Sequence, residues 1–294
     1  MTIVAGFKCG EGVVLCADTQ ETIGDISKRN VPKLRVEPSG MEGAMWPLRS
    51  SHDISVAFCG ATSNGPFLDE IVDRAWKDVQ DATSLVEASD LVNQSIKNSY
   101  KEFGEIYQPG YLPSTELIYG IKMHDESKLF YALGPAVNEK VEYATGGVGV
   151  YMADFLASRM YKNILSLREC AILAAYVLFQ AKEHVEGCGG ESHIAILRND
   201  GSSGRLDARR VEALTKLLQH ADSEMGGILL RFAEVAINNQ EFRKSAIETL
   251  DHMLHVREYE IEKLKAHEDF WESFVGIGLD DMGLPTLPKP PETS

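Results

Sequence analysis

Short runs of apolar, β-branched residues punctuate the first 200 positions, in blocks separated by longer stretches of helical period. Residues 3–9 (IVAGFKC) and 12–18 (GVVLCAD) are two such runs with Gly10 and Glu11 between them, which predicts a β-hairpin at the front of the chain. Position 2 is then held by a strand. Residues 54–60 (ISVAFCG) read as a buried strand. Phe67, Ile71, Ala75 and Val79 share one face of a helix over about 66–80, and Leu85, Ala88, Leu91, Val92, Ile96 and Tyr100 do the same over 84–107. Strands follow at 116–123 and 128–133, with a turn at 124–127, and a further strand at 139–145 runs into Gly146, Gly147 and Gly149. Helices at 150–162 and 167–185 flank a turn at Leu165 and Ser166 and precede a strand at 192–198. Helices arriving in pairs between groups of strands imply packed layers rather than a βαβ alternation.

After Gly204 the strand signal fades. Val211, Leu214, Leu218, Met225, Leu229, Phe232 and Ala236 follow helical spacing, as do Ile247, Leu250, Leu254, Ile261 and Leu264, so 206–270 reads as two or three amphipathic helices. Residues 283–294 (GLPTLPKPPETS) read as an extended, proline-rich tail. The expected division is a main domain over 2–204, a helical extension over 205–282 and the tail over 283–294.

Composition narrows the function classes. The chain has 294 residues, 44% hydrophobic and 25% charged, as in an ordinary globular protein. A formal net charge of -15 opposes a phosphate backbone, so nucleic acid is excluded as an expected partner. Cys9, Cys16, Cys59, Cys170 and Cys188 are odd in number and contain no C-x-x-C pair, which argues against a disulfide scaffold or a zinc knuckle. Their apolar neighbours predict buried free thiols in a reducing compartment. The longest apolar stretch, 171–179, is far short of the roughly 20 residues a membrane span requires. Lys8 and Glu11 interrupt the leading apolar run, so no secretory leader is expected, and the expected location is the cytoplasm.

The candidate chemistry lies at the front. Loss of Met1 would give Thr2 a free α-amine beside its own hydroxyl, a nucleophile and a base on one residue. An α-amine titrates near ~8, so it accepts a proton around neutral pH. A Met-Thr start is common and carries little alone; Asp18 and Lys33 add to it. Asp18 ends a buried strand, where a carboxylate requires a partner, and Lys33 follows the next loop within VPKL. A Lys–Asp pair beside Thr2 would lower the proton affinity of the hydroxyl.

These residues in this order resemble the proteasome β-subunit and its bacterial heat-shock relative, N-terminal-nucleophile hydrolases of the threonine peptidase family. The matching pieces are Thr2, GVVLCAD at 12–18, Lys33 with Leu34, VAFCGAT at 56–62, ATGG at 144–147, and Gly189 with Gly190 before the strand at 192–198. They cover roughly residues 2–200. The resemblance implies an α+β fold, a four-layer α-β-β-α sandwich, carrying a helical C-terminal extension. It implies a threonine endopeptidase in a self-compartmentalised, ring-forming homo-oligomer acting on polypeptide or peptide, with no cofactor and no metal, and with any unfoldase or regulator unknown. By the same resemblance Thr2 is the nucleophile, Asp18 and Lys33 its activating pair, the Ala57 amide the oxyanion donor, Thr22 the partner of the substrate backbone, and Cys59 and Gln20 the pocket.

The sequence departs from that pattern at three positions. Gly147 stands where the family carries a serine, Val185 where it carries an aspartate (with Glu186 adjacent), and Cys188 where it carries a second serine. Gly147 and Val185 motivate one alternative, a catalytically silent ring or scaffold subunit; a small-molecule amidase of the same fold is another. Glu248, His252 and His255 share a helix face at metal-ligand spacing and are read as an ordinary polar face. The glycines at 146–149 are read as a helix-entry turn, and Cys188 as a small buried side chain.

Overall fold

The computed structural model describes residues 2–23, 27–38, 54–106, 112–200, 203–234 and 238–265. The strands in chain order are β1 (Ile3–Cys9), β2 (Gly12–Asp18), β3 (Gln20–Ile23), β4 (Ser27–Asn30), β5 (Leu34–Glu37), β6 (Ile54–Thr62), β7 (Thr115–Met123), β8 (Glu126–Leu133), β9 (Ala136–Lys140), β10 (Tyr143–Gly147), β11 (Ser192–Arg198) and β12 (Ser203–Arg205). The helices are α1 (Gly65–Val79), α2 (Leu85–Ile106), α3 (Val150–Met160), α4 (Leu167–His184), α5 (Ala208–Ala233) and α6 (Asn239–Lys265). One five-stranded sheet runs β10-β1-β2-β11-β12 and a second runs β5-β6-β7-β8-β9, with β3-β4 as a separate hairpin. The pairings within all three are antiparallel.

The period-2 alternation of strands explains why β1, β2, β6 and β7 are apolar on both faces. Ile3, Ala5 and Phe7 of β1, Val14 and Cys16 of β2, and Ile194 and Ile196 of β11 pack on α3 and α4 in one core. The intervening residues Val4, Val13, Leu15, Ala17, Ala195 and Leu197 turn the other way and meet Ala57, Cys59 and Ile118 of the second sheet. On the far face of that sheet Val56, Phe58, Tyr119 and Ile121 pack against α1 and α2. The molecule is therefore mixed α/β, with antiparallel sheets and a helical C-terminal region.

Helix ends follow local chemistry. Asn64 caps α1 by accepting from the Phe67 amide at 3.2 Å, with Pro66 in the first turn. Ser166 and Glu169 form a reciprocal capping box that starts α4.

Two expectations on elements are corrected. The single strand expected over 139–145 is two strands in different sheets. β9 pairs with β8, whereas β10 pairs with β1, and the chain changes sheets at Val141 and Glu142. An edge strand, β12, also follows β11 ahead of the helical stretch, where no strand was expected. Leu206, Val211, Leu214 and Leu218 pack into the first core, so the start of α5 is continuous with the sheet and α4 rather than separate from them. Residues 266–270 of the expected helical stretch, and the proline-rich 283–294, lie outside the described residues. No helix among the described residues is long and apolar enough to cross a membrane.

Candidate active site

The front hairpin carries Thr2 and Asp18 to the same end of the first sheet, because antiparallel pairing sets the first residues of β1 opposite the last of β2. Thr2 is nearly buried, at 6% exposure. Its carbonyl accepts from the Gly149 amide at 3.3 Å, at the mouth of α3. Asp18 is fully buried and its carboxylate is saturated by three donors. Oδ1 accepts from the Ile3 amide at 3.2 Å and from Lys33 Nζ at 2.7 Å, and Oδ2 accepts from the Gly189 amide at 2.9 Å. Lys33 Nζ also donates to the Gln20 carbonyl. One carboxylate thus ties together the start of β1, the segment before β5, and the glycine turn before β11.

Electrostatics follow from this burial. The Lys33 side chain is 9% exposed, and burial pushes its ammonium below the ordinary lysine range while Asp18 pulls it back up. Lys182, near the end of α4, donates to Ser192 Oγ at 3.2 Å. Burial lowers it too, again opposed by the Asp18 charge. The Cys188 thiol is pushed up to about 11, first by burial and then by the Asp18 charge.

Gly147 accounts for one departure from the family pattern. Its φ is +82°, in the region that favours glycine, and a Cβ built there would lie 2.2 Å from the Thr2 carbonyl oxygen. A serine does not fit in this geometry. The turn is held instead by Glu116, whose Oε2 accepts from the Gly147 amide at 2.9 Å and from the Tyr131 hydroxyl at 3.3 Å. Burial, followed by the neighbouring Glu116 charge, raises the Tyr131 phenol to about 12. On the opposite side Gly190, with φ +71°, fits against Thr19 Oγ1 and Asn30 Oδ1, each within 2.5 Å of a built Cβ. Thr19 Oγ1 itself accepts from the Glu191 amide at 2.7 Å.

The structure brings Asp18, Lys33 and the Gln20 carbonyl together, and the Ile3 amide, next in the chain to Thr2, joins the same carboxylate. Gln20 packs its side chain on Gly189, and its Nε2 is buried without a hydrogen-bond partner. Cys59 is fully buried between the sheets, with Sγ 3.9 Å from the Ala5 carbonyl. Thr22 has a described backbone in β3 opposite Lys28, whereas its side chain lies outside the described residues. Ala57 lies mid-strand in β6, between Val36 and Gly120. The Gly60 amide donates to the Lys33 carbonyl on the β5 side, so strand alternation turns the Ala57 amide towards β7 and into the ladder. Val185 ends α4, its amide donating to the Ala181 carbonyl.

Glu116, Lys182 and Thr19 were not anticipated as members of this cluster. Glu116 had a visible signal, an acid near the start of an otherwise apolar strand. Lys182, on the helix expected over 167–185, had none.

No protein-family model matches the sequence, and no curated protein matches it. Solved structures do. An Anbu (Gly-1) mutant from Hyphomicrobium sp. strain MC1 matches with a TM-score of 0.61 at 14% identity, over 81% of this chain and 100% of that one. Anbu (ancestral beta-subunit) from Yersinia bercovieri matches with 0.61 at 13% identity, over 81% and 100%. The helical assembly of the Anbu complex from Pseudomonas aeruginosa matches with 0.61 at 13% identity, over the same shares. At this identity the likeness carries the fold. It also corrects the family suggested by the motifs: these matches are Anbu proteins, one described as an ancestral β-subunit, and not proteasome β-subunits proper.

Proposed function

We propose that the chain is an amide-bond hydrolase of the threonine endopeptidase type, with the Thr2 hydroxyl as nucleophile once Met1 is removed. The observation that carries this reading is the shared Asp18 Oδ1, which accepts both from Ile3, the residue bonded to Thr2, and from Lys33 Nζ. Residue 2 is thereby anchored beside a buried cation. In the reaction the hydroxyl oxygen bonds to the substrate carbonyl carbon while its proton passes to the α-amine. The same amine returns that proton to the departing nitrogen as the C–N bond breaks, leaving an ester on Thr2. Water, deprotonated by the amine, then attacks the ester, and the amine returns the proton to the Thr2 oxygen as the acyl–oxygen bond breaks and the acid leaves. The Lys33 charge lowers the cost of drawing a proton from the hydroxyl, and Asp18 holds Lys33 in place. The packing of the two sheets on each other, with α3 and α4 on one side and α1 and α2 on the other, supports a four-layer α-β-β-α arrangement, with α5 and α6 as a helical extension.

In this reading the protein works as a homo-oligomer on a polypeptide or peptide substrate. Exposed apolar side chains support assembly: Tyr151 on α3 is 87% exposed, and Leu230 and Phe232 on α5 are 75% and 72% exposed. The Pseudomonas aeruginosa Anbu structure is a helical assembly, which makes an open ring as natural an expectation as a closed one. Five buried free thiols suit the reducing cytoplasm. The test is turnover of a fluorogenic peptide library. Wild type should cleave, Thr2→Ala should lose at least 10³-fold in kcat/KM, and Thr2→Ser should keep measurable activity, an expectation of the order seen when a nucleophile is removed. Equal turnover by wild type and Thr2→Ala would sink the reading.

A second reading, a catalytically silent scaffold subunit, draws on Gly147 and Val185, which supply neither the hydroxyl nor the carboxylate the family pattern has there. Folded, Met1-free protein that cleaves no peptide and takes up no threonine-directed electrophile would favour it.

A further inference from the structure

The helical hairpin of α5 and α6 holds a cluster that the proposed hydrolysis does not use. His220 and Glu224 stand four residues apart on one face of α5, and His252 reaches them from α6. His252 Nδ1 lies 3.2 Å from Glu224 Oε1, and His220 Nε2 lies 4.0 Å from the same oxygen. The two imidazoles meet edge to face at 5.0 Å between centroids. One ligand atom from each residue falls within 4.8 Å of the others. His220 Nε2 is shielded from solvent and makes no hydrogen bond, which costs free energy unless a partner arrives.

We propose that His220, Glu224 and His252 bind a divalent first-row cation of the zinc class, which clips α5 to α6. Two imidazole nitrogens and one carboxylate oxygen are the donor set that zinc, cobalt and nickel prefer over calcium or magnesium. Tetrahedral coordination at about 2.0–2.1 Å sets donor atoms ~3.3 Å apart, so the pair at 3.2 Å is already in register, and His220 closes by ~0.7 Å on Glu224 and by at most ~1.5 Å on His252. The fourth position is left to water. The cation gives the orphaned His220 nitrogen a partner. It also adds to the contact between α5 and α6, where Ile247, Leu250 and Leu254 along α6 remain 51%, 48% and 44% exposed. A metal held in the folded hairpin and not in the unfolded chain adds its binding free energy to the hairpin. The face shared by Glu248, His252 and His255 is not the site: Glu248 is exposed and pairs with Lys244 at 3.9 Å, and His252 turns to α5 instead.

The test uses the full-length protein with purification tags removed and metal stripped by chelator. Zinc is titrated against a chromophoric competitor, and cobalt is added in parallel to read tetrahedral visible absorption bands. The expected result is one equivalent of zinc per chain with a Kd below ~10 µM and tetrahedral cobalt bands. His252→Ala and Glu224→Gln, both at solvent-accessible positions, should each weaken binding at least tenfold, and His255→Ala should leave it unchanged. Thermal unfolding of wild type should rise with zinc, and that of His252→Ala should not. Binding that survives His252→Ala, binding lost equally in His255→Ala, or no binding at 100 µM zinc would each overturn the proposal.

Discussion

Replacing Lys33 by methionine keeps an unbranched stem of similar length and removes only the charge. Asp18 is fully buried, so the substitution leaves its carboxylate with two backbone donors, Gly189 at 2.9 Å and Ile3 at 3.2 Å, and without its cation at 2.7 Å. Breaking a buried ion pair by removing one partner costs about 3–5 kcal/mol. The remaining amides set the expectation at the lower end, about 3 kcal/mol. Removing both charges, as in Lys33→Met with Asp18→Asn, should recover at least ~1 kcal/mol relative to the single variant, because the stranded charge and not the lost contact dominates the cost. Urea unfolding followed by tryptophan fluorescence reads both. The pH dependence has a definite sign. Burial holds the folded Lys33 below the ordinary value of 10.5. Between those two values the unfolded chain binds more protons, and stability rises with pH. The stability of wild type minus that of Lys33→Met should therefore climb as pH approaches 10.5. A cost under ~1 kcal/mol for Lys33→Met, a double variant worse than the single, or a difference that falls across that window would refute the reasoning.

Gly147→Ala places a Cβ 2.2 Å from the Thr2 carbonyl at a φ of +82°, and should lower stability by at least ~1–2 kcal/mol on backbone grounds alone, read as a loss in Tm. Glu116→Ala removes the carboxylate that accepts from the Gly147 amide. It should cost about 1.5–3 kcal/mol in urea unfolding, with Glu116→Gln retaining part of that stability through its amide oxygen. The Cys188 thiol, pushed up to about 11, should be alkylated by iodoacetamide far more slowly than a free thiol at pH 8 and should accelerate about tenfold per pH unit towards pH 10, as mapped by peptide mass spectrometry.

The strands and helices that bury a periodic face were legible from the chain itself. β1, β2 and β11 are mostly apolar runs, and α1 shows Phe67, Ile71, Ala75 and Val79 at helical spacing. The β9–β10 boundary was not legible, because Val141 and Glu142 carry no glycine or proline to mark a change of sheet. Asp18 and Lys33 could be paired in advance because a carboxylate ending a buried strand demands a cation. The place of Ala57 could not be foreseen, because which way a mid-strand amide points depends on register with β5 and β7. Glu116 stood out as an acid in its strand, but the group it serves was hidden for a related reason. Its role rests on the unusual φ of Gly147, a property of the folded turn and not of the letters around it. His252 shows the same limit at longer range. One helix face grouped it with His255, whereas the hairpin pairs it with Glu224 across the helix interface.

The most direct test is covalent trapping of the leading residue by a peptidyl epoxyketone, which bonds to both the hydroxyl and the free amine of an N-terminal threonine in one ring. Intact-mass and peptide mapping should find the protein without Met1, one adduct per chain located on Thr2, and no adduct on Thr2→Ala. A chain that keeps Met1, or a Met1-free chain that takes up the reagent elsewhere or not at all, contradicts the assignment of Thr2 as the nucleophile.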